Sequence, residues 1–223
     1  ADVSHERGDA VVTLAATVAD EVLAKVAELE SLSNHIYDNL CEREKDAYYS
    51  MIHYSLMASA NLWKMHLYAG KNRHYAAQGK VIANHYGELV EQCILKDKDF
   101  IEQWKHFKQG KWNGMQLASH IGFTRWNEDD SRYPIISKVW PMSKPRLAVS
   151  RADEEPIATK TYGPPMRLNL WDFRNPAECE VKVEIANAGE GSFRYQIVAK
   201  ADAWPAWLHA SSTEGSVSSQ ETI

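Results

Sequence analysis

Proline is absent from the first 133 residues of this 223-residue chain, and all eight prolines follow that point. Proline interrupts helix interiors, so the first part can form long helices. The second part, where proline and glycine separate short apolar runs, is predicted to fold differently. The distribution of one residue type therefore divides the chain into two parts before any motif is considered.

Three further shortages limit the classes of function. No apolar run reaches the roughly 18 residues of a membrane span, and no signal peptide is visible at the start. The net charge of −5 disfavours nucleic acid as a partner, because phosphate binding needs a basic surface. Three widely spaced cysteines predict neither a disulfide framework nor a zinc site. We expect a soluble protein, and the compartment stays open.

Apolar residues recur at helical spacing in three segments of the first part. The first stripe consists of Leu14, Val18, Val22, Val26, Leu29 and Ile36. The second consists of Tyr48, Met51, Ile52, Leu56, Ser59, Leu62, Trp63, His66 and Leu67, and the third of Ile82, His85, Leu89, Cys93, Ile101, Trp104 and Phe107. If each stripe faces a common core, three long helices form an antiparallel bundle.

Local residues predict where these helices begin and end. Asn39, followed three positions later by Glu42, is typical of an N-cap for the second helix. Gly79 and Gly110 predict the ends of the second and third helices. The charged run at 96–99 indicates a break within the third.

The second part has the pattern of short strands. Runs at 145–150, 166–173, 178–187 and 192–199 are rich in β-favouring residues, and turn-forming residues separate them. Residues 187–191 predict a hairpin connection. This pattern favours a β-sandwich, and because the last residues enter another strand, we expect the sandwich to be incomplete in this chain.

The predicted organisation has three segments: a helical bundle with an aromatic C-terminal loop at 1–126, a proline-containing linker at 127–145, and part of a β-sandwich at 146–223. The last segment is expected to need strands from elsewhere. We therefore expect the chain to be a piece of a larger protein.

No familiar catalytic motif is present. The sequence has no glycine-rich phosphate loop, no nucleophile elbow and no HExxH zinc motif. Adjacent acids such as Glu128, Asp129 and Asp130 are most often solvated loop residues. We therefore assign no catalytic residue, no metal ligand and no cofactor.

Two polar and aromatic segments remain as candidate sites. The segment 71–80, KNRHYAAQGK, includes Arg73 near a helix end, where its basic residues either complement the helix dipole or contact a second subunit or domain. The segment 110–127, GKWNGMQLASHIGFTRWN, either covers the end of the bundle or forms an interface. Its candidate interface or binding residues are Lys111, Trp112, Asn113, His120 and Trp126.

The run KWNGMQLASHIGFTRW resembles a segment of glycoside hydrolase family 115, the xylan α-glucuronidases. The matching positions are Lys111, Trp112, Asn113, Met115, His120, Ile121, Gly122, Thr124 and Trp126. Upstream, the matching positions are Lys71, Asn72, Arg73, Tyr75, Ala76, Gln78, Gly79, Ala83 and Asn84. Departures from the family pattern occur at Gly114, Gln116, Leu117, Ala118 and Phe123.

This resemblance implies a modular hydrolase. Family members remove α-1,2-linked (4-O-methyl)glucuronic acid from xylan with inversion, and their acid and base belong to a catalytic barrel. A barrel needs about 200 residues of alternating strands and helices, which the helical first part does not provide. The chain is then the ancillary structural and dimerisation portion that follows the barrel, inactive alone. The implied partners are that barrel, a second copy and, through the intact enzyme, xylan oligosaccharides.

Two other functions stay open. Trp171, Trp204 and Trp207 in the β part suit a sugar-binding module, because aromatic faces stack on sugar rings. An independent helical interaction protein is the other alternative, and no motif supports it.

Overall fold

The structure, a computed structural model, describes residues 15–115, 120–122, 132–152, 168, 170, 180–199, 206–218 and 220–222. Helices come first in this part of the chain and small antiparallel sheets follow, which confirms the coarse order that the sequence predicts. The helices are α1 (Ala15–Asn39), α2 (Glu42–Tyr48), α3 (Tyr54–Ala77) and α4 (Ile82–Gly110). Among the described residues, no helix is both long and apolar enough to cross a membrane.

The chain divides into two compact units. Unit 1 combines the described residues up to Lys71 with Tyr86–Ile136. Unit 2 combines Asn72–His85 with the described residues from Ser137 onward, so the turn between α3 and α4 belongs with the strands. The predicted boundary between residues 126 and 127 lies outside the described residues, and the division at 126 and 145 stays a prediction.

The residues at the α1–α2 junction do not act as predicted. Asn39 closes α1, because its side-chain amide donates to the carbonyl oxygen of His35 at 2.7 Å. Cys41 precedes α2 and makes no side-chain capping hydrogen bond. The N-cap predicted at Asn39 is therefore wrong, since Asn39 is the last residue of α1 and Cys41 occupies the N-cap position of α2.

A single π-helical turn, Tyr49–His53, joins α2 to α3 without a break. Such a turn holds one residue more than the α-helix around it. The hydroxyl of Ser50, in this turn, donates to the carbonyl oxygen of Asp46 in α2 at 2.9 Å. The continuous helix stops after Ala77, and Gly79 adopts a φ of 64°, as its predicted role requires.

Helix α4 continues through residues 96–99, so the break predicted there is wrong. Its regular geometry is interrupted instead near the end, at Phe107, Lys108 and Gln109. The last two have φ of 51° and 59°, and Gly110 follows with 80°. The charged run stays helical because Asp97 points into the core of unit 1, where it has partners.

Two apolar clusters form the core of unit 1, and both join α3 to α4. The first contains Tyr54, Met57, Phe100 and Trp104. The second contains Met65, Val90, Cys93 and Ile121. Helix α1 is buried through Ala19, Glu30 and Ser33, and through Val26, which belongs to the predicted stripe.

Much of the stripe predicted for α1 is exposed. Val18, Leu29 and Ile36 are 47%, 51% and 36% exposed. The prediction that this stripe faces the core of the same chain is wrong for these three residues. The second stripe is also partly displaced, because Met51, Ile52 and Trp63 are exposed.

The described strands of unit 2 form two antiparallel sheets. One sheet has the order β1–β2–β5, formed by Leu147–Arg151, Val183–Asn187 and Gln220–Thr222. The other pairs β3 (Phe193–Gln196) with β4 (Glu214–Val217). Since β2 and β3 lie in different sheets, the hairpin predicted over 187–191 is wrong. Most of the predicted strand 166–173 lies outside the described residues.

The loop after β2 is organised by Asn187. Its Oδ1 accepts from the backbone N–H of Arg146 at 3.0 Å and of Gly189 at 2.9 Å, and its amide donates to the carbonyl oxygen of Gly191 at 2.8 Å. An added Cβ at Gly189 would overlap the carbonyl oxygen of Lys144. The glycine is therefore required by a close backbone approach and not by a turn conformation.

Candidate functional site

The segment after α4 begins with Lys111, Trp112 and Asn113. Trp112 is half-buried and packs against the cluster that contains Tyr54 and Trp104. The Lys111 ammonium lies 4.9 Å from the centre of the Trp112 ring, within the range of a cation–π contact. The backbone N–H of Asn113 donates to the carbonyl oxygen of Gly110 at 3.0 Å, and its side chain is exposed.

Lys111 and Trp112 border a surface cavity of about 490 Å³ in unit 1. Its lining includes Asp46, Ala47, Ser50, Phe107, Lys108, Gln109, Lys111 and Trp112. Lys108 forms an ion pair with Asp46, whereas Lys111 lies over the indole. Lys108 and Gln109, which line this cavity, adopt left-handed backbone conformations. Such conformations are unfavourable for residues other than glycine. The cavity thus combines aromatic surface with two ammonium groups.

His120 belongs to a separate polar cluster with Asp97 of α4. Its Nε2 lies 2.8 Å from Oδ1 of Asp97, whose side chain is buried. The other carboxylate oxygen accepts from the hydroxyl of Tyr133 at 3.0 Å. Asp97 therefore connects α4 to two positions in the following segment, and the described partner of His120 lies on a helix.

The Asp97 cluster changes the ionisation of Tyr133. Burial, followed by the hydrogen bond to the Asp97 carboxylate and the charge of that carboxylate, raises the pKa of Tyr133 to about 12. The ammonium of Lys98 lies 5.7 Å from the centre of the same ring. Tyr133 thus acts as a neutral hydrogen-bond donor at physiological pH.

The residues after His120 pack closely against unit 1. Ile121 is almost completely buried between α3 and α4, next to Met65 and Val90. Its carbonyl oxygen accepts from the backbone N–H of Arg132 at 2.8 Å. Gly122 has a φ of 65°, and an added Cβ would lie 2.7 Å from the Cβ of Arg132. This short segment is held by packing, backbone bonding and the Asp97 cluster together.

The segment 71–80 contributes a buried polar cluster to unit 2. The Lys80 ammonium donates to Oε2 of Glu184 at 2.5 Å and to the hydroxyl of Ser150 at 2.8 Å. The hydroxyl of Tyr75 donates to the other oxygen of Glu184 at 3.2 Å. Desolvation lowers the pKa of Lys80, and the hydrogen bond to Glu184 opposes that change. The cluster connects the helical turn to strands β1 and β2.

Two asparagines of unit 2 bind one extended segment. The Asn72 side chain accepts from the N–H of Ser137 at 2.8 Å and donates to the carbonyl oxygen of the same residue at 2.8 Å. The Asn84 side chain forms the same pair of bonds with Val139, both at 2.9 Å. Because Ser137 and Val139 are two positions apart, both peptide groups lie on the same side of an extended chain.

The predicted site residues do not form one group. Lys111 and Trp112 lie together at the cavity, and Asn113 follows them. His120 belongs to the Asp97 cluster. Arg73 is an exposed residue of unit 2, and Trp126 lies outside the described residues.

The sequence interpretation missed four residues that organise these clusters: Asp97, Tyr133, Lys80 and Glu184. A pattern was available for Asp97, because residues 93, 97, 100 and 104 share one face of a helix. An acid on a face that is otherwise apolar requires a hydrogen-bond donor. No comparable pattern identifies Lys80, since its partner is 104 positions away.

Within the described ranges, no group of three or more His, Cys, Asp or Glu side chains is arranged to hold a metal ion. The described cysteines, Cys41 and Cys93, are free thiols, and burial raises the pKa of Cys93.

Comparison of the sequence with models of protein families finds no match. A search of curated proteins finds no match either.

Proposed function

We propose that the chain is a non-catalytic structural portion of a xylan α-glucuronidase, placed after the catalytic barrel and involved in dimerisation. In this proposal the helices form an antiparallel bundle, and the two small sheets belong to a β-sandwich completed by further strands. The parent enzyme removes α-1,2-linked glucuronic acid from xylan with inversion. The proposal rests on the resemblance of residues 71–84 and 111–126 to glycoside hydrolase family 115.

The observation that best supports a structural role is that residues matching the family pattern form hydrogen bonds that hold the chain in place. Asn72 and Asn84 hold an extended segment of unit 2 through paired hydrogen bonds. His120 holds its segment against α4 through Asp97. These side chains are occupied in fixing the backbone, which suits residues that shape a scaffold for neighbouring domains.

The chemistry of an inverting glycosidase also supports a non-catalytic role for this chain. It needs an acid and a base whose carboxyl groups are about 6.5–9.5 Å apart, with room for water between them. Three carboxyl side chains are buried among the described residues: Glu30 and Asp97 in unit 1, and Glu184 in unit 2. Each is engaged by donors of its own unit, which for Glu30 is the ammonium of Lys64. The reacting carboxyl groups are therefore assigned to the barrel of the parent.

The test uses the parent protein and the chain side by side. We expect the parent to release glucuronic acid from glucuronoxylan and the purified chain to release none. Release by the chain alone would contradict a non-catalytic role. A parent reading frame without a barrel upstream of Ala1 would end the glucuronidase proposal.

The cavity beside Trp112 favours a second candidate, the binding of an acidic sugar. An indole face suits a sugar ring, and the ammonium group of Lys111 suits its carboxylate, whereas Lys108 is already paired with Asp46. Of the tryptophans considered for sugar binding in the β part, Trp207 is 67% exposed, and Trp171 and Trp204 lie outside the described residues.

Tryptophan fluorescence during titration with glucuronoxylan oligosaccharides tests this candidate. We expect a saturable change that Lys111→Gln weakens and that uncharged xylan oligosaccharides fail to produce. Lys105→Gln, at a lysine of α4 outside the cavity lining, is the matched control. An equal response to charged and uncharged oligosaccharides would contradict a carboxylate site at Lys111.

A further inference from the structure

The outward face of α1 is unusually apolar for a surface helix. Val18, Leu29, Leu32 and Ile36 are exposed by 47%, 51%, 55% and 36%, and Val22 is half-buried. The side of α1 that packs within unit 1 has smaller side chains, such as Ala19 and Ser33. The helix therefore buries Ala19 and Ser33, together with Val26, and leaves four of its large aliphatic residues exposed to solvent.

These exposed residues have the spacing of a coiled-coil core. Positions 18, 22, 25, 29, 32 and 36 alternate steps of four and three residues, which is the separation of heptad core positions. We call this set the α1 seam. It extends over about 27 Å of helix, at 1.5 Å per residue. Lys25 is its one charged member, and it is exposed.

The α1 seam is complementary to itself when two copies run in opposite directions. Val18 then faces Ile36 of the other copy, Val22 faces Leu32, and Lys25 faces Leu29. The two position numbers of each pair sum to 54, so one two-fold axis near position 27 produces all three pairs. A parallel pair in register would instead place Lys25 against Lys25 of the other copy. Two like charges facing each other in a core are unfavourable.

Charges beside the α1 seam favour the same orientation. Glu21 and Glu28 are exposed residues that flank it on one side, together with His35. In the antiparallel pair, Glu21 lies beside His35 of the other copy, and the two Glu28 side chains lie beside each other. Each Lys25 ammonium lies next to Glu28 of the other copy, so the two lysines offset the repulsion between these glutamates. Each copy thus supplies a carboxylate near the single ammonium that the other copy brings into the core.

We propose that the α1 seam binds the α1 seam of a second copy, forming an antiparallel two-helix interface on a two-fold axis. Helix α1 is already folded against unit 1, so association does not require the costly ordering of an isolated helix. This inference names the surface behind the dimerisation part of the proposed function. It does not depend on the xylan substrate.

The first experiment measures the dimer dissociation constant of the chain by sedimentation equilibrium. Leu29→Gln combined with Leu32→Gln should weaken association at least about tenfold. Met51→Gln combined with Trp63→Gln changes exposed apolar residues of the same unit and should leave the constant unchanged. Circular dichroism checks that each variant keeps its helices. A monomeric chain, or a seam variant that dimerises as well as the original, would overturn the proposal.

Charge reversal tests the orientation of the two helices. Lys25→Glu and Glu28→Lys should each weaken the dimer, and combining them should restore it, because every Lys25–Glu28 contact is then reversed. A parallel dimer lacks this contact and would show no rescue.

Cross-linking gives a second measure of orientation in a background that combines Cys41→Ser with Cys179→Ser. A mixture of Val18→Cys and Ile36→Cys chains should form disulfide-linked heterodimers. Val18→Cys chains alone should not cross-link, since the two positions are far apart in an antiparallel pair. Efficient cross-linking of Val18→Cys alone would show a parallel pair and overturn the proposed orientation.

The parent enzyme separates this inference from the proposed function. If the seam variant makes the parent monomeric while release of glucuronic acid continues, both proposals are supported. If the variant parent stays dimeric, the seam assignment fails and dimerisation through another surface survives. If a seam-dependent dimer has no glucuronidase activity in its parent, the substrate proposal fails alone.

Discussion

The Nζ atom of Lys80 lies 2.5 Å from Oε2 of Glu184, and both side chains are almost completely withdrawn from solvent. One residue follows the end of α3 and the other lies in the middle strand of the larger sheet. Burying two charges costs free energy that their attraction only partly offsets. The pair therefore contributes chiefly by requiring these two elements of unit 2 to meet at one place.

Breaking this pair should be costly, whereas replacing it should not be. Lys80→Met leaves the Glu184 carboxylate buried without its cation, so we expect the free energy of unfolding to fall by about 3–5 kcal/mol. Combining Lys80→Met with Glu184→Leu should recover most of that loss. Urea unfolding measures both, with the exposed neighbour Lys182→Met as control. A single variant that costs no more than the control would contradict the assignment.

Trp112→Ala should destabilise unit 1, because the indole packs against the cluster of Tyr54 and Trp104. Since Trp112 is only half-buried, we expect a cost of about 2–3 kcal/mol, below that of a fully buried tryptophan. Trp63, which is 58% exposed on α3, provides the matched control. Denaturant unfolding followed by circular dichroism compares the two variants. Equal costs would mean that Trp112 does not cover the cluster.

Tyr133 should make the stability of unit 1 depend on alkaline pH. Its pKa is raised to about 12 in the folded state from 10.0, so the neutral phenol is favoured by folding. That contribution is complete below pH 10 and is lost as the pH rises from 10 towards 12. Unfolding measured across this range should show a decline that Tyr133→Phe reduces.

Spectrophotometric titration follows the phenols directly. Burial also raises the pKa of Tyr49 to about 12, and it raises the pKa of Tyr54 and of Tyr68. At least four of the ten tyrosines should therefore ionise later than a free phenol. Tyr133→Phe and Tyr49→Phe should each remove one late group. Ionisation of all tyrosines near pH 10 in the folded chain would contradict the Asp97–Tyr133 bond.

Gly189→Ala should destabilise unit 2, because the new methyl group would overlap the carbonyl oxygen of Lys144. We expect a cost of about 2–3 kcal/mol, typical of forcing an atom into a packed site. Glu190→Ala, at the exposed next position, keeps the backbone bond to Met142 and should be nearly neutral. Thermal unfolding of both variants gives the comparison. Equal stability would show that this loop relaxes easily.

The sequence predicts helix ends well where the cause is local. Gly79 and Gly110 both adopt the left-handed conformation that glycine tolerates best. Asn39 shows the limit, since its side chain can either accept from the N–H groups of a following helix or donate to the preceding turn, and it donates to the carbonyl oxygen of His35. The energy difference between these two short-range hydrogen bonds is small, and residue spacing alone does not predict which of them forms.

The buried face of a helix is harder to predict. Helix α1 has one face of small residues and another of large aliphatic residues, and periodicity alone selects the larger one. The packing of unit 1 uses Ala19 and Ser33 instead, because small side chains allow a close approach. The cluster around Lys80 could not be predicted from spacing, because its partner Glu184 is 104 positions away, whereas Asp97 stands on an otherwise apolar helix face.

The π-helical turn at Tyr49–His53 has a consequence for the whole helix in which it lies. One inserted residue advances the direction of side chains by about 100°, so residues before and after it follow different helical phases. A single stripe drawn from Tyr48 to Leu67 therefore cannot stay on one face. Removing one residue of the turn would bring both ends into phase and rotate either the charged start of α2 or the aromatic residues of α3 away from their present neighbours. The number of residues in this turn therefore determines which neighbours the side chains of α2 and α3 contact.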